Sequence, residues 1–182
     1  LVIASISKPN LVSLGTVVFW PRGLNLEAYK YILSDRSIML GYRNSLLYAA
    51  GVTAFALVLT LPAAYALSRK DLKGRHAMML YMVFTMYFSG GMIPYYVLMR
   101  RLGLIDKMLV LMLPGAVSVF NVIIARTFFV QTIPDEILES AKMDGCSNTR
   151  FFIQMVLPLS QAVIAIIVLF EVVGSWNSFF GA

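Results

Sequence analysis

Few side chains in this 182-residue chain could do chemistry, and their spacing rules out most kinds. One cysteine, Cys146, and one histidine, His76, supply neither an internal disulfide nor a multi-cysteine metal site. Cys146 reads as a small helix-end residue, and His76 reads as a solvated side chain in a basic loop. Glu171 and Arg126 lie inside apolar stretches, but no nucleophile, base or metal-ligand set clusters with them as an intramembrane enzyme would need. No G-x-x-x-x-G-K-[ST] run is present to cradle a nucleotide phosphate. Two groups of candidate residues remain: a short charged segment from Pro134 to Gly145, and a polar trio of Glu171, Trp176 and Asn177.

The charged segment reads as a short amphipathic helix. Pro134 suits a first helical turn, and Asp135 and Glu136 complement the positive end of the helix dipole. Gly145 suits the left-handed position that ends a helix. Ile137, Leu138 and Ala141 give it a small apolar face. The following run, Phe151 to Pro158, is apolar. A helix of this kind lying across a membrane face can contact lipid headgroups or a groove in a protein.

Those groups must be held by elements that live in lipid. Apolar residues make up 59% of the chain and charged residues 13%, where soluble domains average about 45–50% and about 25%. Mean hydropathy is +0.79. The net charge of +6 does not point to nucleic acid, because the basic residues flank apolar stretches instead of forming one stripe. The spacing predicts an all-α polytopic bundle with spans near 44–67, 77–99, 108–130 and 159–180. Residues 1–43 would hold the tail of an earlier span, an outer segment and a short helix over 26–33. Residues 131–158 would form the loop carrying the amphipathic helix. Both ends of the chain read as cuts.

Four spans put loops 69–75 and 131–158 on one face, with six Lys/Arg, and loops 8–43 and 100–107 on the other, with eight. Charge density is highest in 69–75, which favours that face as cytoplasmic. Two spans contain helix breakers: Gly90, Gly91 and Pro94 in the second, and Pro114-Gly115 in the third. Such breaks either border a cavity or are tolerated kinks. An ionisable Glu171 inside a span faces a bundle interior or a cavity. Beside it, the Trp176 ring suits the C–H face of a sugar or an interfacial belt, and the Asn177 amide suits hydroxyls or a neighbouring helix.

The spacing Glu139-Ser140-Ala141, Asp144-Gly145-Cys146 and Leu157-Pro158 resembles the EAA loop of ABC-importer permeases, departing from the usual alanines at Ser140 and Cys146. Asn44-Ser45-Leu46, the run Ala63 to Arg69 with Gly74-Arg75, and Leu26 to Tyr29 resemble carbohydrate-type permeases similar to the maltose permease subunits. The SGGMIP and SWNSFF stretches look closest to a branch for complex or acidic oligosaccharides. The resemblance implies a multi-pass subunit of a bacterial cytoplasmic membrane with six spans, about four of them in this chain. It implies an ATPase-docking loop of Glu136, Glu139, Ser140, Ala141, Asp144, Gly145, Leu157 and Pro158. Within it Glu139 would be the polar contact, Ala141 the close-packed face and Gly145 the turn. It implies a substrate path past Gly91, Pro94, Glu171, Trp176 and Asn177. The implied partners are a second permease subunit in a heterodimer, an ABC ATPase dimer that carries the ATP and Mg, an extracytoplasmic solute-binding protein and lipid. No cofactor, metal or nucleic acid is expected for this chain. A permease for a peptide or osmolyte is the alternative.

Overall fold

The computed structural model describes residues 2–15, 20, 23–105, 107 and 109–177. Among these the regular elements are helices, with one isolated antiparallel bridge between Ser7 and Leu24. The fold is all-α and is part of a transmembrane bundle. The chain divides into two compact units, residues 1–45 and 46–182.

The first unit holds three short helices, α1 (Val2–Ser5), α2 (Pro9–Ser13) and α3 (Glu27–Ser34). The amide of Lys8 donates to the Gly23 carbonyl and that of Asn25 to the Ile6 carbonyl, both at 3.0 Å, which brings the two ends of the intervening segment together. The Asn25 carboxamide oxygen accepts from the Glu27 amide at 2.8 Å and starts α3 close to the expected 26–33.

Helix α4 (Arg36–Ser68) is 33 residues long and begins where the Asp35 carboxylate accepts from the Ser37 amide at 2.8 Å. Among the described residues it is the one helix long and apolar enough to cross a membrane alone. The second expected span is not one helix: α5 (Arg75–Tyr87) and α6 (Met92–Arg101) meet at a bend of 112°. The bend is made by the Ser89-Gly90-Gly91 stretch, with Gly91 at φ +81 capping α6. Pro94 is not the breaker, since it occupies the third position of α6, where an amide has no intrahelical partner to lose. The third expected span splits into α7 (Leu109–Gly115) and α8 (Val119–Thr132), with the Ser118 hydroxyl capping α8 through the Asn121 amide. The expected start of that stretch, Met108, lies outside the described residues.

Helices α9 (Asp135–Met143) and α10 (Asn148–Phe151) follow, then a π-helical turn over Phe152–Val156, α11 (Leu157–Leu159) and α12 (Gln161–Trp176). Segment 148–159 and α12 meet at 79°, so the bend lies at the start of the expected fourth span, whose described residues are mostly the single helix α12. The outer end of that stretch, 178–180, lies outside the described residues. Among the described residues, counting each bent pair as one span, up to three spans meet the test of length and composition, and Val119–Thr132 is a further, shorter apolar helix.

The core of the second unit gathers Leu61, Ala64 and Leu67 of α4, Val122, Ala125 and Phe129 of α8, Ala141 of α9, Phe151, Val156, and Val163 and Ile167 of α12. On α4 the fully buried Ala56, Thr60 and Ala64 recur every four residues, a small-residue face that allows close backbone approach. Met79 and Met82 of α5 pack against this core, while Met78 and Met86 stay largely outside it.

Candidate functional site

Helix α9 is an amphipathic element with two distinct faces. At 100° per residue, Leu138 and Ala141 fall together, and both pack on the core. Glu136, Glu139, Ser140 and Met143 fall on the opposite side and are exposed. Met143 is 89% exposed, an apolar side chain standing alone among acids. Its seven-residue spacing from Glu136, legible in the sequence, places both on one face.

The end of α9 is set by Gly145. Its φ is +73, its amide donates to the Lys142 carbonyl at 3.0 Å, and the Cys146 amide donates to the Ala141 carbonyl at 2.9 Å. That pair of bonds is a Schellman stop, and it turns the chain sharply toward α10. Asp144 is the last helical cap and is exposed. The two unusual residues are both accommodated as small side chains. The Ser140 hydroxyl donates back to the Glu136 carbonyl at 2.9 Å, and Cys146 packs against the core.

Leu157 and Pro158 form the corner below α12. Pro158 lies near the end of the continuous helical run 148–159, directly after its π-helical turn, and Leu157 packs on the core. The Ser160 hydroxyl donates to the Val156 carbonyl at 2.6 Å and satisfies a carbonyl at the bend. Leu157 and Pro158 therefore shape the path from α9 to α12, while Glu136, Glu139 and Ser140 lie on its outer face.

A second set of contacts ties α9 to the turn that follows α4. Lys70 pairs with Asp135 in the first turn of α9, and Lys142 in the last turn lies 3.6 Å from Asp71. The Arg69 side chain donates through Nε to Asp71 at 2.9 Å and through Nη1 to the Tyr65 hydroxyl at 3.0 Å. The Tyr65 ring packs on Phe152 at 5.1 Å between centroids and edge-on to Phe129 at 6.3 Å. The Arg69 guanidinium holds the Asp71 carboxyl down to about 2, and Asp71 in turn holds Arg69 above its ordinary range. The hydrogen bond to Asp135 raises the Lys70 ammonium as well. All three groups are charged at neutral pH. A cavity of about 280 Å³ lies behind this contact, lined by Tyr65, Arg69, Phe129, Pro134, Glu136 and Phe151. These pairs also place loop 69–75 and α9 on the same face.

The polar trio has another arrangement. Glu171 of α12 accepts from the Asn121 carboxamide of α8 at 2.7 Å. Asn121 is 3% exposed and was not singled out from sequence, since its partner lies fifty residues away. Asn177 donates to the Val173 carbonyl of its own helix at 2.8 Å, and the Trp176 ring is half exposed. Gly91 and Pro94 belong to the α5–α6 bend, which shares no helix with the trio. Arg126 donates to the Leu67 carbonyl at 3.1 Å, joining α8 to the end of α4. No cluster of three or more metal-ligating side chains occurs among the described residues.

Residues 36–182 match the family described as binding-protein-dependent transport system inner membrane component. Protein LplC of Bacillus subtilis (strain 168) is 43% identical over 163 residues, covering 90% of this chain and 55% of that protein. The polygalacturonan/rhamnogalacturonan transport system permease protein YtcP of the same organism is 44% identical over 162 residues, covering 89% and 56%. The chain thus spans about half the length of these relatives. Among solved structures, a bacterial ABC transporter involved in the import of the acidic polysaccharide alginate superposes with a TM-score of 0.93 at 33% identity. The match covers 98% of this chain and 64% of that one.

Proposed function

The chain belongs to the binding-protein-dependent transport system inner membrane component family, and from that premise we propose that it is the membrane-spanning part of an ATP-driven importer for an oligosaccharide. Helix α9 is then the element on which a separate ATPase subunit docks. The observation that carries this reading is the outer face of α9: two exposed carboxylates and an exposed Met143, on a helix whose other face is packed and whose end is stopped by Gly145. A cleft with a basic rim and an apolar floor matches that face. The partners are a second permease subunit, a pair of ATPase subunits that bind ATP and Mg, and an extracytoplasmic solute-binding protein. The site of action is a bacterial cytoplasmic membrane, with loop 69–75 and α9 facing the cytoplasm.

The cargo reading draws its support from the relatives. One relative is a polygalacturonan/rhamnogalacturonan transport system permease and one structural neighbour is involved in the import of the acidic polysaccharide alginate, so an acidic oligosaccharide is the proposed solute class. Glu171 is held by Asn121 and acts on the shape and polarity of the path. Trp176 and Asn177, at the end of α12, are the proposed sugar contacts.

The test uses the full-length subunit co-expressed with its ATPase and partner permease. Glu139→Lys should reduce ATPase co-purification and uptake while leaving membrane insertion intact. Wild-type co-purification and uptake in that variant would sink the docking reading. Competition between oligogalacturonides and neutral maltooligosaccharides for uptake tests the cargo separately. Preference for the neutral sugars would overturn the acidic assignment.

A further inference from the structure

We infer that Lys70 and Asp71, in the turn between α4 and α5, are positioning residues that seat α9 and carry its movement into α4. The inference rests on the docking reading above. Helices α8 and α12 are covalently continuous with the segment that bears α9, so any displacement of α9 reaches them through the chain. Helix α4 has no such link, since 66 positions separate Ser68 from Pro134. Its connections are the shared apolar core, the Arg126–Leu67 bond and the charged side chains at the turn, and of these the charged pairs reach both ends of α9.

The two consecutive residues carry opposite charges, and each meets its opposite on α9. Lys70 meets Asp135 at the start of the helix, and Asp71 meets Lys142 seven residues later, about two turns or roughly 10 Å along the axis. A slide or reversal of α9 would set like charges together, so the pairs define register as well as proximity. The turn itself is anchored. Asp71 is gripped by Arg69, whose side chain is only 10% exposed, and Arg69 is fixed to Tyr65 of α4. Tyr65 is packed on Phe129 and Phe152. The Arg75 side chain donates to the Arg69 carbonyl at 3.2 Å and closes the turn from its other end. The chain of contacts Lys142–Asp71–Arg69–Tyr65 thus runs from the last turn of α9 into the last turn of α4.

Each exposed pair is weak, which suits a part that must guide motion without adding much stability. The experiment uses the full-length transporter with Cys146→Ala and one spin label at a time. One label is at Val58 on α4 and the other at Leu169 on α12, both exposed. In the wild type, Mg-ATP with vanadate should change the label mobility at both sites. Lys70→Ala and Asp71→Ala should shrink the Val58 response about twofold to fivefold, in line with the small energy of such pairs, and leave the Leu169 response intact. Lys70→Arg and Asp71→Glu should restore it. The double variant Asp71→Ala/Lys142→Ala should be no worse than Asp71→Ala alone. An unchanged Val58 response in the alanine variants, an equal loss at both labels, or no response at Val58 in the wild type would each overturn the inference. Glu139→Lys reports on docking independently. Loss of both responses there upholds docking, and retention of both overturns docking instead of the seating role.

Discussion

At the residue scale, Gly145 and Asn121 carry different obligations. A Cβ added at Gly145 would meet nothing within 4 Å, so the position needs glycine for its φ of +73 and not for space. Gly145→Ala should therefore cost about 1 kcal/mol through backbone strain alone, and Gly145→Asn less. Gly145→Val should cost more, because a β-branched residue fits that region worst. Thermal unfolding of the purified full-length subunit would measure the order, and equal stability of all three would contradict it. Asn121 is a satisfied buried amide. Asn121→Leu should remove about 1 kcal/mol, the usual scale of an interhelical bond in lipid. Glu171→Gln keeps a carbonyl oxygen to accept the same bond and should be nearly neutral. A Glu171→Gln loss as large as that of Asn121→Leu would show that the carboxylate's charge matters beyond this bond.

Among elements, the helix over 135–143 was readable because its signals are local: acids at the start, lysine at the end, glycine beyond. Its seat was not readable. Lys70 finds Asp135 at a separation of 65 residues, and Glu171 finds Asn121 at 50, and periodicity carries no information about such pairs. The break near residue 90 is legible, but its cause is not, because Pro94 looks like a breaker in sequence and sits harmlessly in a first turn. The long α4 tolerates Pro62 inside it, a position the apolar run concealed. Its close-packed face makes a further prediction. Ala64→Leu would overfill a fully buried site at the meeting of α4 with the core and should destabilise by about 1–3 kcal/mol. Val58→Leu, on the exposed side of the same helix, should not. Comparison of their yields after detergent extraction and heating would check the contrast, and equal tolerance would mean that α4 is loosely packed.

For the whole molecule, the composition already demanded lipid, but charge counting left the orientation open at six basic residues against eight. The ion pairs between 70–71 and α9 place two loops on one face without any counting. In a Cys146→Ala background, cysteines at Lys73 and Thr149, both exposed and outside the proposed docking face, should both react with a membrane-impermeant maleimide only from the cytoplasmic side. Labelling of the two from opposite sides would break the assigned topology. The same approach applied to Tyr87 and Trp176 would show which helix ends are reached from the other face. The cargo was never legible in composition or periodicity, since sugar contacts rest on a few side chains that many helices could present.

The seat of α9 also bears on how such proteins can be recombined. Its recognition is divided between a turn near residue 70 and a helix near residue 140, so neither half is a complete module. A loop transplanted from a relative would arrive with its own helix and the host's turn. Where the charges at 71 and 142 differ between donor and host, the graft would set like against like. Sequences that drift at one position should carry a matching change at the other. Chimeras of this chain would then be designed with the two segments exchanged together.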